Sequence, residues 1–195
     1  FSLNNLYRPD FDGGFYLIAR DPDTGVKKWT HKTSGGTSGG NNIAFGANGD
    51  LIASFRNFGE TQRRLHRLDP ASGKILWSGD FTSGQGGLYI GPDNYAYQYL
   101  SPPGKKAGIY RNNLKNSDIE LVNWSSVFGA IDSKNRLIHH FTDTTDKNKV
   151  KLGAFNIDGK MDWKVEVPGI DVRTFLISED GVIYGRINAN QIVAI

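Results

Sequence analysis

At 195 residues the chain is long enough for one well-buried domain, and with no cysteine it excludes a disulfide scaffold, a thiol nucleophile and any cysteine metal site. Glycine is abundant, at 24 residues, and aromatic residues reach 12%, a mix that suits a β protein with many tight turns. The net charge of +3, with a pI near 9.0, comes from scattered lysines and arginines, so a solvated surface accounts for it better than specific nucleic-acid binding.

The chain opens on Phe1, as a processed or trimmed chain would, and shows neither a membrane-spanning run nor sustained helical periodicity. Residues 1–33 read as the end of a repeat, with strands near Leu3 to Tyr7, Phe15 to Ala19 and Val26 to His31. Thr33-Ser34-Gly35-Gly36-Thr37-Ser38-Gly39-Gly40 reads, from its composition, as a blade-to-blade connection. It lacks the Lys-Ser/Thr ending of a phosphate-cradling loop. Complete repeats then cover about 41–81, 86–126 and 127–167, and a partial one covers 172–195.

Each repeat is two hairpins. The first closes on a Gly/Asn turn, as in Phe45-Gly46-Ala47-Asn48-Gly49-Asp50-Leu51 and Ile177-Ser178-Glu179-Asp180-Gly181-Val182-Ile183. Gly91 to Tyr95 and Asp132 to Arg136 fill the same slot. The second closes on Asp69-Pro70-Ala71-Ser72-Gly73-Lys74-Ile75-Leu76-Trp77, where Asp69 caps the turn and Gly73 takes the left-handed conformation. Ile75-Leu76-Trp77, apolar throughout, predicts a strand buried on both faces. Asp21 to Trp29 has the same Asp, Gly and Trp offsets. Asn156 to Trp163 repeats it with a turn one residue shorter, and Asn116 to Trp124 reads as a worn copy with Glu120 in place of the glycine. All four tryptophans fall at this one place, at intervals of 48, 47 and 39 residues. Four strands every 40–50 residues predict an all-β β-propeller of four-stranded antiparallel blades, a period shared with WD40-like repeats. About five blades or partial blades are expected. The partial ends overlap in two strands, so either two blades are irregular or the chain belongs to a larger ring, and the second reading is favoured.

Ala19-Arg20-Asp21-Pro22-Asp23-Thr24-Gly25-Val26-Lys27-Lys28-Trp29 resembles the tryptophan-docking motif, A-x-D-x-x-T-G-x-x-x-W, of the quinoprotein alcohol-dehydrogenase-like (PQQ-like) β-propellers. Arg67 to Trp77 fits with Arg67 for the alanine and Ser72 for the threonine. The resemblance implies that Trp29, Trp77, Trp124 and Trp163 are structural staples between blades, with Gly25, Gly73 and Gly159 allowing close approach. It also raises the quinone cofactor and its calcium. The dehydrogenases hold the quinone between a tryptophan and a vicinal disulfide, and this chain has no cysteine. No cofactor is therefore expected. The chain is more similar to the non-catalytic branch, including the outer-membrane barrel-assembly lipoprotein, which implies a secreted, periplasmic or cell-surface location.

Other sites carry less. His139-His140 with Asp143 and Asp146 could be read as a metal cluster, but adjacent residues of a strand point to opposite faces, so no metal is expected. No nucleophile elbow is present. The loops least like the repeat are the candidate binding loops: Arg56, Asn57 and Glu60 in one, Lys105 and Lys106 in the next, Asp143 and Asp146 in the third. The sequence thus favours a non-catalytic propeller module that binds a protein or glycan through these loops. A fragment of a propeller enzyme (a quinoprotein or a glycan-acting enzyme) and a lectin with a sugar site in each blade are the alternatives. A second copy or a missing segment would complete an open ring.

Overall fold

A computed structural model describes residues 2–4, 15–33, 43–60, 63–81, 87–116, 118–123, 129–142, 149–168, 175–178, 180–188 and 191–195. Among these there is no helix. The 40-residue period resolves into five antiparallel sheets. The first is three-stranded, in the order β1 (Ser2–Asn4), β2 (Phe15–Arg20), β3 (Lys27–Thr33). The second runs β4 (Ile43–Phe45), β5 (Leu51–Phe55), β6 (Arg64–Leu68), β7 (Ile75–Phe81). The third runs β8 (Tyr89–Ile90), β9 (Tyr95–Leu100), β10 (Gly108–Asn113), β11 (Ile119–Asn123). The fourth runs β12 (Ala130–Ile131), β13 (Leu137–Thr142), β14 (Lys149–Phe155), β15 (Met161–Pro168). The last has three strands, β16 (Phe175–Ile177), β17 (Ile183–Asn188) and β18 (Gln191–Ala194).

The chain divides into two compact units: Phe1–Leu88 with Leu100–Lys106 and Asn113–Asp118, and Tyr89–Tyr99 with Ala107–Asn112 and Ile119–Ile195. In the first, Leu17, Ala19 and Trp29 pack against Leu51, Ala53, Phe55 and Leu68, with Ile43 and Ile75 at the margin. In the second, Ala130, Ile138, Leu152, Ala154 and Val167 close over Ile183, and Trp163 and Ile177 lie against them. A separate cluster there joins Tyr97, Ile109 and Leu137. All five residues of β5 are buried, because this strand lies inside its sheet and carries apolar or small side chains on both faces.

The repeat is written in the turns. The left-handed position of the first hairpin is taken by Gly49, Asn94, Asn135 and Gly181 in turn. Asn94 and Asn135 adopt it at φ 60° and 61°, a conformation asparagine tolerates better than other side chains. In the second hairpin Asp21 Oδ1 accepts the N–H groups of Asp23 and Thr24 and the Thr24 hydroxyl, and Asp69 caps Ala71 and Ser72 in the same way. The shorter turn runs from Asn156 to Lys160, as its spacing predicts. Trp29, Trp77 and Trp163 each follow a β-bulge by one residue and pair with Ala19, Arg67 and Ala154.

Two details differ from the sequence reading. The third copy of this turn is led by Asn113, whose N–H bonds Asp118 O and whose side chain caps Lys115. Glu120 sits not in the turn but on β11, opposite Arg111. The asparagine three residues later had drawn the alignment because it is followed by an aspartate and then, at the right distance, by Trp124. And Ile75-Leu76-Trp77 is not buried on both faces: β7 is the outer strand of its sheet, and Leu76 is 48% exposed.

Candidate interaction site

The β5–β6 connection carries three of the candidate residues, Arg56, Asn57 and Glu60. Phe55 and Arg64 are the last pair of the β5–β6 ladder, and beyond them come Arg56 and Arg63, near enough for the charge of one to act on the other. Asn57 then bridges back to Thr33 on β3. The loop turns on Gly59, at φ +87°, and closes with the Glu60 N–H donating to Asn57 O at 3.0 Å. Glu60 is held by Asn57 Nδ2 at 3.5 Å and lies 3.4 Å from Arg64 Nε. Burial, and then the charge of Arg56, lowers the pKa of the half-buried Arg63 guanidinium. Phe58 stands 65% exposed at the tip, with Lys32 Nζ 4.0 Å from its ring centroid. Arg56, Asn57 and Glu60 are thus drawn into one cationic, aromatic-tipped rim. Lys105 and Lys106 are exposed on a different turn, where Lys105 N–H donates to Pro102 O. Asp143, Asp146 and Trp124 lie outside the described residues.

Beneath this rim is a histidine pair that the sequence reading missed. His66 is fully buried on β6, its ring stacked 4.0 Å from Phe55, and the His31 ring lies 5.1 Å from Phe55, tilted. Nε2 lies 3.3 Å from the Phe55 carbonyl, which can only accept. Nε2 therefore carries the proton, and Nδ1 accepts the Ser78 hydroxyl at 2.9 Å. Burial depresses its pKa to about 4, so the ring is neutral. A neutral imidazole beside a hydroxyl is general-base geometry, but at 0% exposure this one serves as a core hydrogen bond.

In the first unit Trp29 is 8% exposed. Its indole N–H donates to Pro70 O at 2.9 Å, and its ring lies flat on Gly73, where an added Cβ would stand 2.5 Å from Cε3. Gly25 and Gly159 have the same left-handed backbone and open space above them among the described residues. Trp77 is half-buried, and Arg67 reaches across to Leu114 O at 3.4 Å. In the second unit Trp163 packs on Ile183, but beside it lies an open groove of about 290 Å³, lined by Ile138, Ile177, Ile195 and Arg136 among others. Nothing among the described residues accepts the Trp163 N–H.

His139 is buried and His140 half-buried. They pair with Gly153 and Leu152, so they face opposite sides of β13. No three histidine, aspartate or glutamate side chains among the described residues converge as a metal site would require. With no cysteine for a stacking disulfide either, the residues present do not fit the quinone and its calcium.

No protein-family model matches the chain, and none of the curated proteins matches it. Solved structures do. TolB from Acinetobacter baumannii superimposes with a TM-score of 0.55 at 14% identity, over 93% of this chain and 48% of that one. Kuenenia stuttgartiensis hydrazine synthase gives 0.54 at 16% identity, over 92% and 64%. The Dos1 propeller gives 0.53 at 10% identity, over 93% and 52%. The fold is a β-propeller. Each four-stranded sheet is a blade, and the sheets at either end of the chain are three-stranded blades. The propeller spans between about half and two-thirds of the length of those structures, and at these identities the likeness is one of fold.

Proposed function

We propose that this β-propeller is a non-catalytic, PQQ-like binding module that engages an acidic segment of a partner protein through the β5–β6 rim. The observation that carries the reading is the cluster of Arg56 and Arg63 on the loop that carries the exposed Phe58, with Lys32 on its ring and Glu60 the one carboxylate of the loop. A cationic rim attracts an incoming carboxylate, and an exposed aromatic supplies an apolar anchor. A sugar is less well served, because Lys32 already covers a face of Phe58. The PQQ-like assignment is supported by Trp29 lying on Gly73 and bonding Pro70 O, as a docked tryptophan would. The same resemblance is the ground for placing the protein outside the cytoplasm.

A fluorescein-labelled peptide of alternating Glu and Ala, titrated by anisotropy, tests the site. Binding should weaken as salt rises and fall at least tenfold in Arg56→Glu/Arg63→Glu, while Lys105→Glu/Lys106→Glu changes it little. Equal losses in both double variants, or salt-independent binding to an oligosaccharide array instead, would reject the rim.

A further inference from the structure

Five of the described hairpin turns share one geometry: the residue in the left-handed conformation donates its N–H to the carbonyl three residues before it. Gly49 bonds Gly46 O at 2.9 Å, Asn94 bonds Gly91 O at 2.9 Å, Asn135 bonds Asp132 O at 3.0 Å, Gly159 bonds Asn156 O at 2.9 Å and Gly181 bonds Ser178 O at 2.9 Å. The residue just before it is Asn48, Asp93, Lys134, Asp158 and Asp180 in turn, so one of these turns sets a carboxamide next to the left-handed nitrogen. Asn48 and Gly49 are both exposed. Among the described residues nothing bonds the Asn48 carboxamide, and the space where a Cβ of Gly49 would stand is open. Asn116, the described asparagine followed by serine, has both ends of its amide engaged: Nδ2 donates to Asp118 Oδ2 at 2.7 Å, and Oδ1 accepts the Asp118 N–H at 3.2 Å.

We propose that Asn48 is a covalent modification site: it deamidates through attack by the Gly49 backbone nitrogen, leaving aspartate and isoaspartate at the tip of the β4–β5 hairpin. The Gly49 nitrogen bonds to Asn48 Cγ, the bond from Cγ to the side-chain nitrogen breaks, and that nitrogen leaves as ammonia with the proton from Gly49. Water then opens the five-membered imide. Opening at Cγ gives aspartate and opening at the backbone carbonyl gives isoaspartate, so water is the one co-reactant. The Gly49 N–H must first release Gly46 O, a single bond at a solvated tip, and glycine sets no side chain in the way. The turns at Asp158 and Asp180 offer the same nitrogen a carboxylate, a far poorer electrophile at neutral pH. Either product adds a negative charge two residues from Asp50, which lies 3.6 Å from Arg67 Nε. Isoaspartate also lengthens the backbone by one atom in the turn that sets the pairing of Phe45 with Leu51. The site does not depend on the β5–β6 rim.

The whole chain is held at pH 8.5 and 37 °C beside a synthetic peptide of residues 43–55, which serves as the clock, and both are sampled by mass spectrometry. Residue 48 should gain one dalton, later than in the peptide because the turn bond must open, and before Asn116 does. An isoaspartyl methyltransferase supplied with labelled S-adenosylmethionine should mark the aged chain at that residue. Gly49→Asn keeps the left-handed position, as Asn94 and Asn135 do in their own turns. It should slow the conversion roughly tenfold, because a side chain now hinders the nitrogen. Circular dichroism checks that this variant folds. Three results would overturn the proposal: residue 48 unchanged when the peptide has fully converted, Asn116 converting first, or Gly49→Asn ageing as fast as the wild type.

Discussion

At the scale of single residues, the Asp, Gly and Trp offsets were legible because turn chemistry leaves little choice: a capping carboxylate and a left-handed glycine must stand where they do. What the offsets did not reveal is that the glycine of one turn serves the tryptophan of the preceding sheet, since a contact 44 residues apart has no local signature. Gly73 combines a backbone φ of +71° with a ring 2.5 Å from its missing Cβ, whereas Gly104 has φ +70° and open space. The two glycines separate strain from overpacking. Gly104→Ala should cost about 1 kcal/mol. Gly73→Ala should cost roughly 2–4 kcal/mol and lower Tm on the order of 10 °C, because the ring must also move. Equal melting temperatures for the two variants would mean that Trp29 yields freely and is no anchor.

At the scale of strands and turns, alternation and turn residues gave the hairpins, but register decided what the side chains meet. The turn at Asn113 lacks glycine and stands three residues before the one its sequence spacing suggests, while no motif marks His66 as buried. The first-hairpin turns show the same limit. Asn135 fills a left-handed position that sequence assigns readily. Yet its Nδ2 also reaches Asp93 at 2.8 Å and the Tyr97 hydroxyl at 2.9 Å, and Tyr97 donates to Asp93 at 2.6 Å. Tyr97 is fully buried, and burial and the bond to Asp93 raise its pKa, so the phenol stays protonated and keeps donating. Tyr97→Phe and Asn135→Gly, which preserves the backbone conformation, should each cost about 1–2 kcal/mol in urea unfolding. Because the three groups share one network, the double variant should depart from additivity by about 0.5–2 kcal/mol. Strict additivity would show that the triangle holds β9 and the β12–β13 turn together no more than packing does.

At the scale of the whole molecule, each compact unit buries a histidine, His66 in the first and His139 in the second, and acid tests the first. His66 belongs to the first unit and is neutral when folded, with a pKa of about 4 against 6.5 in an unfolded chain. Between those values the unfolded state binds a proton that the folded state does not, so stability falls as the pH falls from 6.5 towards 4 and is unaffected above that window. The full loss is about 3 kcal/mol, of which about 2 kcal/mol has gone by pH 5. The Asp21 carboxylate, held at about 2 first by its bond to Lys28 and then by Thr24, loses its own contribution as the pH falls from the usual 3.8 to about 2, below the measured range. Hydrogen exchange followed by mass spectrometry, corrected for intrinsic rates, reads each unit by its own peptides. Between pH 7.5 and 5, protection of Leu51–Phe55 should drop by the predicted amount, and His66→Gln should abolish that drop. If His66→Gln changes nothing, the imidazole is not the acid-sensitive group.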